Sequence, residues 1–344
     1  MGKRSLIIAN VNARSILADT RLLDLEILTT VNDIDVLCVT ETWLSVGCVK
    51  HGSARINLPG FQAPFRCDCP DGRCGGRVAV YVRVGLCATQ ITLPGTLEAV
   101  CVRLRLCHRR VVDIFAVYRP PNVDMSTFID RLDSEILSVQ GSSGRSICIA
   151  GDFNARNSVW FSGQQTDAAG RLLEDFALAN DLSQVVSGPT HVVDGILSSQ
   201  LDLIFVNKPS LVAGCCVLPP VSDHCPTVLK LRLSHALELP QAKFFWDFDH
   251  GNIAGLNTFL RQLDWSPVTT CTDAAAAVDV WQSTLMAAMV QFIPRVKRVA
   301  CSGNKPWYSS FLRQLALQRD RLYRRARMLP HDHRLSVNYR RVRN

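Results

Sequence analysis

No apolar run in these 344 residues approaches the ~18 that a helix needs to cross a bilayer. The opening stretch, Met1-Gly2-Lys3-Arg4-Ser5-Leu6-Ile7-Ile8, begins basic, but its apolar part stops at Asn10. That is too short for a secretory signal and suits a first β-strand. Leu6 stands where a myristoylation signal needs Ser or Thr. There is no internal repeat, and the only low-complexity tract is Ala274–Ala277. Charged residues are modest at 20 % against 47 % hydrophobic, which excludes global disorder and calls for a substantial core. With no secretory signal, the fourteen cysteines read as reduced thiols rather than a disulfide framework, and Cys38, Cys101 and Cys148 read as small core residues. Cys67, Cys69 and Cys74 cluster tightly, and Cys48 or His51 could be offered as a fourth zinc ligand. Their spacing is that of no standard ribbon or finger, so the cluster reads as a surface loop.

The length suits one large domain with an appendage, or two domains. The net charge of +8 is unevenly placed. Residues 305–344 hold eleven Lys/Arg and two Asp, a balance of +9, which leaves the other 304 residues at −1. A tail this basic fits an anionic partner, RNA or DNA, and equally a solvated helix face that awaits a neighbouring domain.

Up to about residue 234, short apolar stretches rich in Val, Ile and Leu alternate with a few amphipathic ones. Strands are expected at Leu6–Val11, Ile34–Thr40, Arg77–Arg83, Glu98–Leu106, Val111–Tyr118, Ser146–Ala150, Ser199–Val206 and Cys225–Leu233. Helices are expected at Ile16–Val31, at Met125–Val139 (started by Asp124 or Ser126) and at Gly170–Asn180. Many strands with few long helices imply an α/β sandwich, two sheets face to face with helices outside. Beyond Ser234 strand signals fade. A helical linker region over 235–304, with helices at Phe259–Trp265 and Ala274–Phe292, is expected to lead to a basic amphipathic helix over Pro306–Met328.

Polar residues recur where apolar runs begin or end, as they would on the rim of a sandwich: Asn10, Glu41, Tyr118, Asp152, Asp202, and the pair Asp223-His224. A hard cation such as Mg²⁺ takes oxygen ligands, and Glu41, Asp223 and the neutral Asn10 could supply them. Asp152 and Asn154 are two residues apart, so in extended chain both face one way. Asp152 could take a proton from water and Asn154 could donate to a phosphoryl oxygen. Asp202 could hold His224 in one tautomer, leaving His224 to stabilise negative charge on a phosphate, with Tyr118 as a further donor.

These residues carry a resemblance. Asn10-Val-Asn-Ala-Arg-Ser15, Thr40-Glu-Thr-Trp-Leu44, Val117-Tyr-Arg-Pro-Pro-Asn122, Gly151-Asp-Phe-Asn-Ala-Arg156, Trp160, Gly170-Arg-Leu-Leu173, Pro189-Thr-His191, Leu201-Asp-Leu-Ile204 and Val221-Ser-Asp-His-Cys-Pro226 follow in order. As a set they resemble the endonuclease/exonuclease/phosphatase superfamily, specifically the apurinic-type endonuclease of non-LTR (LINE-type) retrotransposons. The resemblance covers residue 5 to about residue 233. It implies a four-layered α/β sandwich and a Mg²⁺-dependent (Mn²⁺-tolerant) phosphodiesterase. It further implies nicking of DNA that leaves a 3′-hydroxyl for target-primed reverse transcription, and action in the nucleus after synthesis in the cytoplasm, without secretion. In that family the positions matching Asn10 and Glu41 lie at the metal, while those matching Asp152, Asn154, Asp202, Asp223 and His224 activate water and stabilise the transition state. Thr190, Arg119, Asn122, Ser222 and Trp160 are the candidate substrate contacts. Lys305-Pro-Trp-Tyr308 resembles the linker before a reverse transcriptase, a domain these residues do not include.

Two segments depart from the family pattern. Cys67–Cys74 replaces an Arg/Gly-rich turn, and Phe161-Ser-Gly163 follows Trp160. Three other readings stay open: a host abasic-site repair nuclease, an inositol or lipid phosphatase, and an inactive remnant that only binds nucleic acid. A 5-phosphatase would carry a Trp-Cys-Asp-Arg-type motif where this chain has Leu201-Asp-Leu-Ile.

Overall fold

The computed structural model describes residues 4–18, 20–45, 53–68, 76–94, 97–139, 145–235 and 242–299, with single positions beyond residue 311. The chain divides into two compact units, Met1–Glu238 with Asn304–Asn344, and Leu239–Gly303.

In the first unit two six-stranded mixed sheets pack face to face with helices outside, a four-layered α/β sandwich. One sheet runs in the order β13 (Val212–Val217), β14 (Thr227–His235), β1 (Arg4–Asn12), β2 (Val36–Thr40), β4 (Val78–Val82) and β3 (Phe65–Cys67). The other runs β5 (Cys87–Ile91), β6 (Glu98–Arg105), β7 (Val111–Tyr118), β8 (Ser146–Asp152), β12 (Asp202–Val206) and β9 (Ser183–Gln184). Two strand pairs, β1 with β2 and β7 with β8, are parallel. Strands β2, β4, β8 and β12 are buried at every position, which is why their sequences run apolar without alternation. Leu6, Ile8, Val36, Cys38, Ile114, Cys148 and Ile204 fill the layer between the sheets.

Helix α1 (Arg21–Val31) covers the outer face of the first sheet through Leu25 and Leu28. It starts five residues later than the expected Ile16. Arg14 and Ser15 take left-handed backbone (φ 43 and 78), turning the chain out of β1, and Ile16 is buried in the turn that follows. Helices α3 (Met125–Val139) and α4 (Ala168–Ala179) cover the second sheet, and α2 (Ser53–Ile56) is a single turn. Asp124, not Ser126, caps α3 by accepting from the Thr127 amide at 2.9 Å. Asp167 caps α4 by accepting from the Gly170 amide at 2.6 Å, so that helix begins two residues before the expected Gly170.

The unanticipated strands are short or polar edges, β3, β5, β9 and β13, together with the hairpin β10 (His191–Val193) and β11 (Ile196–Ser199). That hairpin closes on Asp194-Gly195, both at positive φ, the residue pair that a tight hairpin turn favours.

The second unit is not wholly helical as expected. β15 (Ala242–Trp246) pairs antiparallel with β16 (Arg295–Val299), and α5 (Ile253–Gln262), α6 (Ser266–Thr269) and α7 (Ala274–Phe292) lie between them in sequence. Aromatic and β-branched residues in both end segments favour the pairing over helix. Asn252 caps α5 by accepting from the Gly255 amide, so the helix begins well before Phe259 and ends at Gln262 rather than reaching Trp265. Leu256, Ala288 and Ile293 form a small core there. The expected basic helix and the residues Cys48, His51, Cys69 and Cys74 fall outside the described residues, save for isolated helical positions such as Leu312, Leu315 and Leu322. Cys38, Cys101 and Cys148 are buried free thiols, as expected. Among the described residues no helix is long and apolar enough to cross a membrane.

Candidate active site

The site follows from strand register. In the second sheet Tyr118 pairs with Asp152 across the parallel β7–β8 ladder, and Asp152 pairs with Asp202 across the antiparallel β8–β12 ladder. Three polar side chains at the ends of three apolar strands therefore stand in one row. Facing them, Asn12 pairs with Thr40 where β1 and β2 end together, and Glu41 follows immediately. Gly151 is obligatory for this row. A Cβ there would lie 1.9 Å from the Val117 carbonyl oxygen of the neighbouring strand.

The two sheets meet through hydrogen bonds. The Asn12 amide donates to Glu41 Oε1 and to Asp152 Oδ2, both at 2.9 Å. The Tyr118 hydroxyl donates to Glu41 Oε1 at 3.1 Å, and the Trp43 indole N–H donates to Glu41 Oε2 at 3.2 Å. Glu41 itself has φ 49, a left-handed conformation that turns its carboxylate out of the strand direction. Burial, reinforced by the Glu41 and Asp152 carboxylates, holds the Tyr118 phenol far above its ordinary range, so it stays a neutral donor.

Asp152 is 1 % exposed. Burial pushes its carboxyl up to about 7, reinforced by Asp202 and opposed by His224, by the Asn12 donor and by the Asn154 amide at 3.0 Å. His224 Nδ1 lies 2.7 Å from Asp202 Oδ2, in a pair that is almost fully buried. Burial alone would pull the imidazolium down, but the Asp202 carboxylate, by charge and by that hydrogen bond, lifts it to about 9. Asp202 thus leaves the other ring nitrogen, Nε2, to face a substrate.

Asp223 sits on the other side of His224, 2.5 Å from the Arg14 guanidinium and 3.8 Å from His191 Nε2. The His191 and His224 rings stack at a tilt, 4.8 Å between centroids. A backbone bridge between the same two residues ties the β10–β11 hairpin to the site. Burial, then the neighbouring His224, lowers the His191 pKa.

The structure redistributes several expected roles. Asn12, not Asn10, touches Glu41 and Asp152; Asn10 lies two residues back on the same face, fully buried, with both amide atoms without a hydrogen-bond partner. Asn154 (φ 47) commits its amide to the Arg119 carbonyl at 2.9 Å and turns toward Asp152 at 3.4 Å, so it organises Asp152 rather than presenting a donor to a phosphate. Arg119 is turned inward. It donates to the Phe153, Asn154 and Val123 carbonyls, and burial lowers its pKa. Thr190 is fully buried, its hydroxyl accepting from the Leu201 and Asp202 amides at 3.0 Å each. Ser222 donates to the Asn12 carbonyl at 2.7 Å and accepts from the His224 amide at 3.0 Å. Trp160, partly buried, packs edge-on to Phe205 at 5.6 Å, against the core of the second sheet's outer face. Arg119, Thr190, Ser222 and Trp160 therefore position the site from within. Of the expected substrate contacts Asn122 alone is exposed, just beyond the end of β7.

The donor set suits a divalent cation. Two groups of side chains, Asp152/Asp202/His224 and His191/Asp223/His224, each bring ligand atoms within 4.8 Å of one another. Glu41 offers a half-exposed carboxylate at the rim, and the Oδ1 atoms of Asp202 and Asp223 are buried without a hydrogen-bond partner. Asn12, Arg14, Trp43 and His191 were not singled out from sequence. Asn12 was the recoverable one, since it shares a strand face with Asn10.

The chain resembles proteins that are already known. Residues 112–228 match the endonuclease-reverse transcriptase family. Over 165 residues the chain is 27 % identical to the RNA-directed DNA polymerase from mobile element jockey of Drosophila melanogaster, an alignment covering 48 % of this chain and 16 % of that protein. The chain thus spans only a small part of that relative's length. Among solved structures, the endonuclease domain of TRAS1, a telomere-specific non-LTR retrotransposon, superposes with a TM-score of 0.53 at 20 % identity, over 66 % of this chain and 99 % of that one. The AP endonuclease LMAP from Leishmania major gives 0.55 at 16 % identity, over 68 % and 89 %. Over residues 112–228 the chain thus resembles the endonuclease-reverse transcriptase family, and its first unit shares the fold of these solved endonucleases.

Proposed function

We propose that the first unit is a Mg²⁺-dependent endonuclease that nicks DNA and leaves a 3′-hydroxyl, as target-primed reverse transcription requires. Its place of action is the nucleus, and its partner is a reverse transcriptase domain of the same element. The observation that carries the reading is the buried Asp152, tied to Asn12 and Asn154, beside the Asp202–His224 pair.

Asp152, with its proton affinity raised to about 7, accepts a proton from the attacking water. His224, held charged by Asp202, donates through Nε2 to the phosphate as negative charge grows there. Tyr118, neutral and aimed across the cleft, is a second donor once substrate displaces its bond to Glu41. Glu41, with Asp223 and the Asn12 side-chain oxygen, would hold the cation. Bound there, Mg²⁺ or Mn²⁺ supplies charge neutralisation at the scissile phosphate.

The test uses purified protein and supercoiled plasmid. Mg²⁺ should support nicking, EDTA should stop it, and Asp152→Ala or His224→Ala should remove it. Nicked ends should be extendable by a polymerase without prior treatment, the signature of a 3′-hydroxyl. Equal nicking by the wild type and both variants would assign the activity to a contaminant and sink the proposal.

A further inference from the structure

Trp43 is a large apolar side chain standing in water at the edge of the site. It is 39 % exposed, whereas Thr42 and Leu44 on either side are 1 % exposed. Three features hold it there. Its backbone is left-handed at φ 58, two residues after the left-handed Glu41. The Thr42 and Trp43 amides donate to the Arg77 and Gly76 carbonyls at 3.2 and 3.1 Å, stitching this turn to the start of β4. The indole N–H is spent on Glu41 Oε2 at 3.2 Å. A non-glycine residue in that backbone region is strained, and strain of this kind persists where the surrounding structure holds it. Here the constraint presents a ring face, with its polar atom already satisfied, beside the carboxylate that would hold the cation. Trp160, by contrast, is partly buried against the core, edge-on to Phe205.

We propose that Trp43 is a specificity-determining residue whose exposed ring stacks on the nucleobase adjoining the scissile phosphate. This rests on the nuclease reading above and narrows it, because a small phosphate ester has no base to place there. An aromatic face accepts any base and needs no sequence, so this contact selects polynucleotide over small phosphates without specifying a target site.

Binding of labelled duplex oligonucleotides to the full chain in EDTA, followed by fluorescence anisotropy, tests the contact apart from turnover. Two duplexes are compared at the step that the wild type nicks, one intact and one with the flanking base replaced by a tetrahydrofuran abasic residue. Trp43→Ala should weaken binding of the intact duplex about tenfold, within the range of base–aromatic stacking, and should leave the base-less duplex unaffected. Trp43→Phe keeps a ring and loses the bond to Glu41, so it should bind the intact duplex nearly as well as wild type. Circular dichroism checks that both variants are folded, and a misfolded Ala variant leaves Trp43→Phe and the wild-type intact-versus-abasic comparison to decide. An equal loss on both duplexes, a Phe variant as weak as Ala, or a wild type indifferent to base removal would overturn the stacking role while leaving the nuclease reading intact. A wild type that neither nicks nor binds DNA would overturn both.

Discussion

Asp152 and His224 are neighbours whose proton affinities have been moved in directions that suit opposite duties. Asp152 is raised to about 7 by burial and by Asp202, and it must be ionised to accept a proton. His224 is raised to about 9 by Asp202, against the pull of burial, and it must be protonated to stabilise charge. The rate therefore rises as pH passes about 7 and falls as pH passes about 9, giving a bell in kcat/KM between those limits. Asp202→Asn should shift both limbs toward acid, because Asp202 raises both groups, and should lower the rate at pH 8. A profile that does not move would separate these residues from the observed limbs. Asn12→Ala removes one of the links between the two sheets at the site, leaving the Tyr118–Glu41 bond, and takes from Asp152 one of its donors. At pH 7 that should lower kcat by about tenfold or more, the scale of a lost charge-assisted hydrogen bond. It should also move the acid limb upward, because the Asn12 donor favours the ionised carboxyl.

At the scale of elements, the site is held by buried contacts between its own strands and loops. The Thr190 hydroxyl accepts from two buried amides at the start of β12. Thr190→Val leaves both donors without a partner, and each such donor costs about 1–3 kcal/mol. Urea denaturation should show that loss for Val, with Thr190→Ser close to wild type. Gly151→Ala forces a methyl group onto the Val117 carbonyl oxygen, so the β7–β8 ladder must part beneath Asp152. Its cost should reach at least the ~1–3 kcal/mol of ordinary overpacking, with activity falling further than stability. Elements that the sequence made legible are those buried on both faces or built on strong helical periodicity, β2, β7, β8, β12 and α3, together with α7, whose run of alanines favours helix. The edge strands and the β10–β11 hairpin were not legible, because two to six residues with partly exposed faces carry too little apolar pattern. The start of α1 was placed early for a related reason. Ile16 is apolar because a turn is buried there, which periodicity cannot distinguish from helix.

At the scale of the whole chain, charge and chemistry are separated. Residues 305–344 carry a balance of +9, while the remainder, with the site, is at −1. If the tail contacts phosphates, deleting residues 305–344 should weaken DNA binding at low salt and flatten the slope of log affinity against log salt, while single-turnover nicking at saturating DNA stays near that of the full chain. An unchanged slope would assign the tail to another surface.

The amino-acid sequence by itself determined the chemistry available: which carboxylates, amides and histidine stand at strand ends, and that two sheets must bury the apolar runs between them. Hydrophobic pattern and residue type are local properties, so one chain is enough to read them. Tertiary structure decided which of those groups meet. Asn12 rather than Asn10 reaches Glu41 because the end of β2 aligns with Asn12. Tyr118, Asp152 and Asp202 form one row because three strands share a register. Thr190, Arg119, Ser222 and Trp160 turned inward as supports, and Arg14, Trp43 and His191 arrived at the rim from left-handed turns and a hairpin. Register and turn geometry depend on pairing between residues far apart in the chain, 140 positions for Asn12 and Asp152 and more across β1 and β14, and no local reading of the chain contains them.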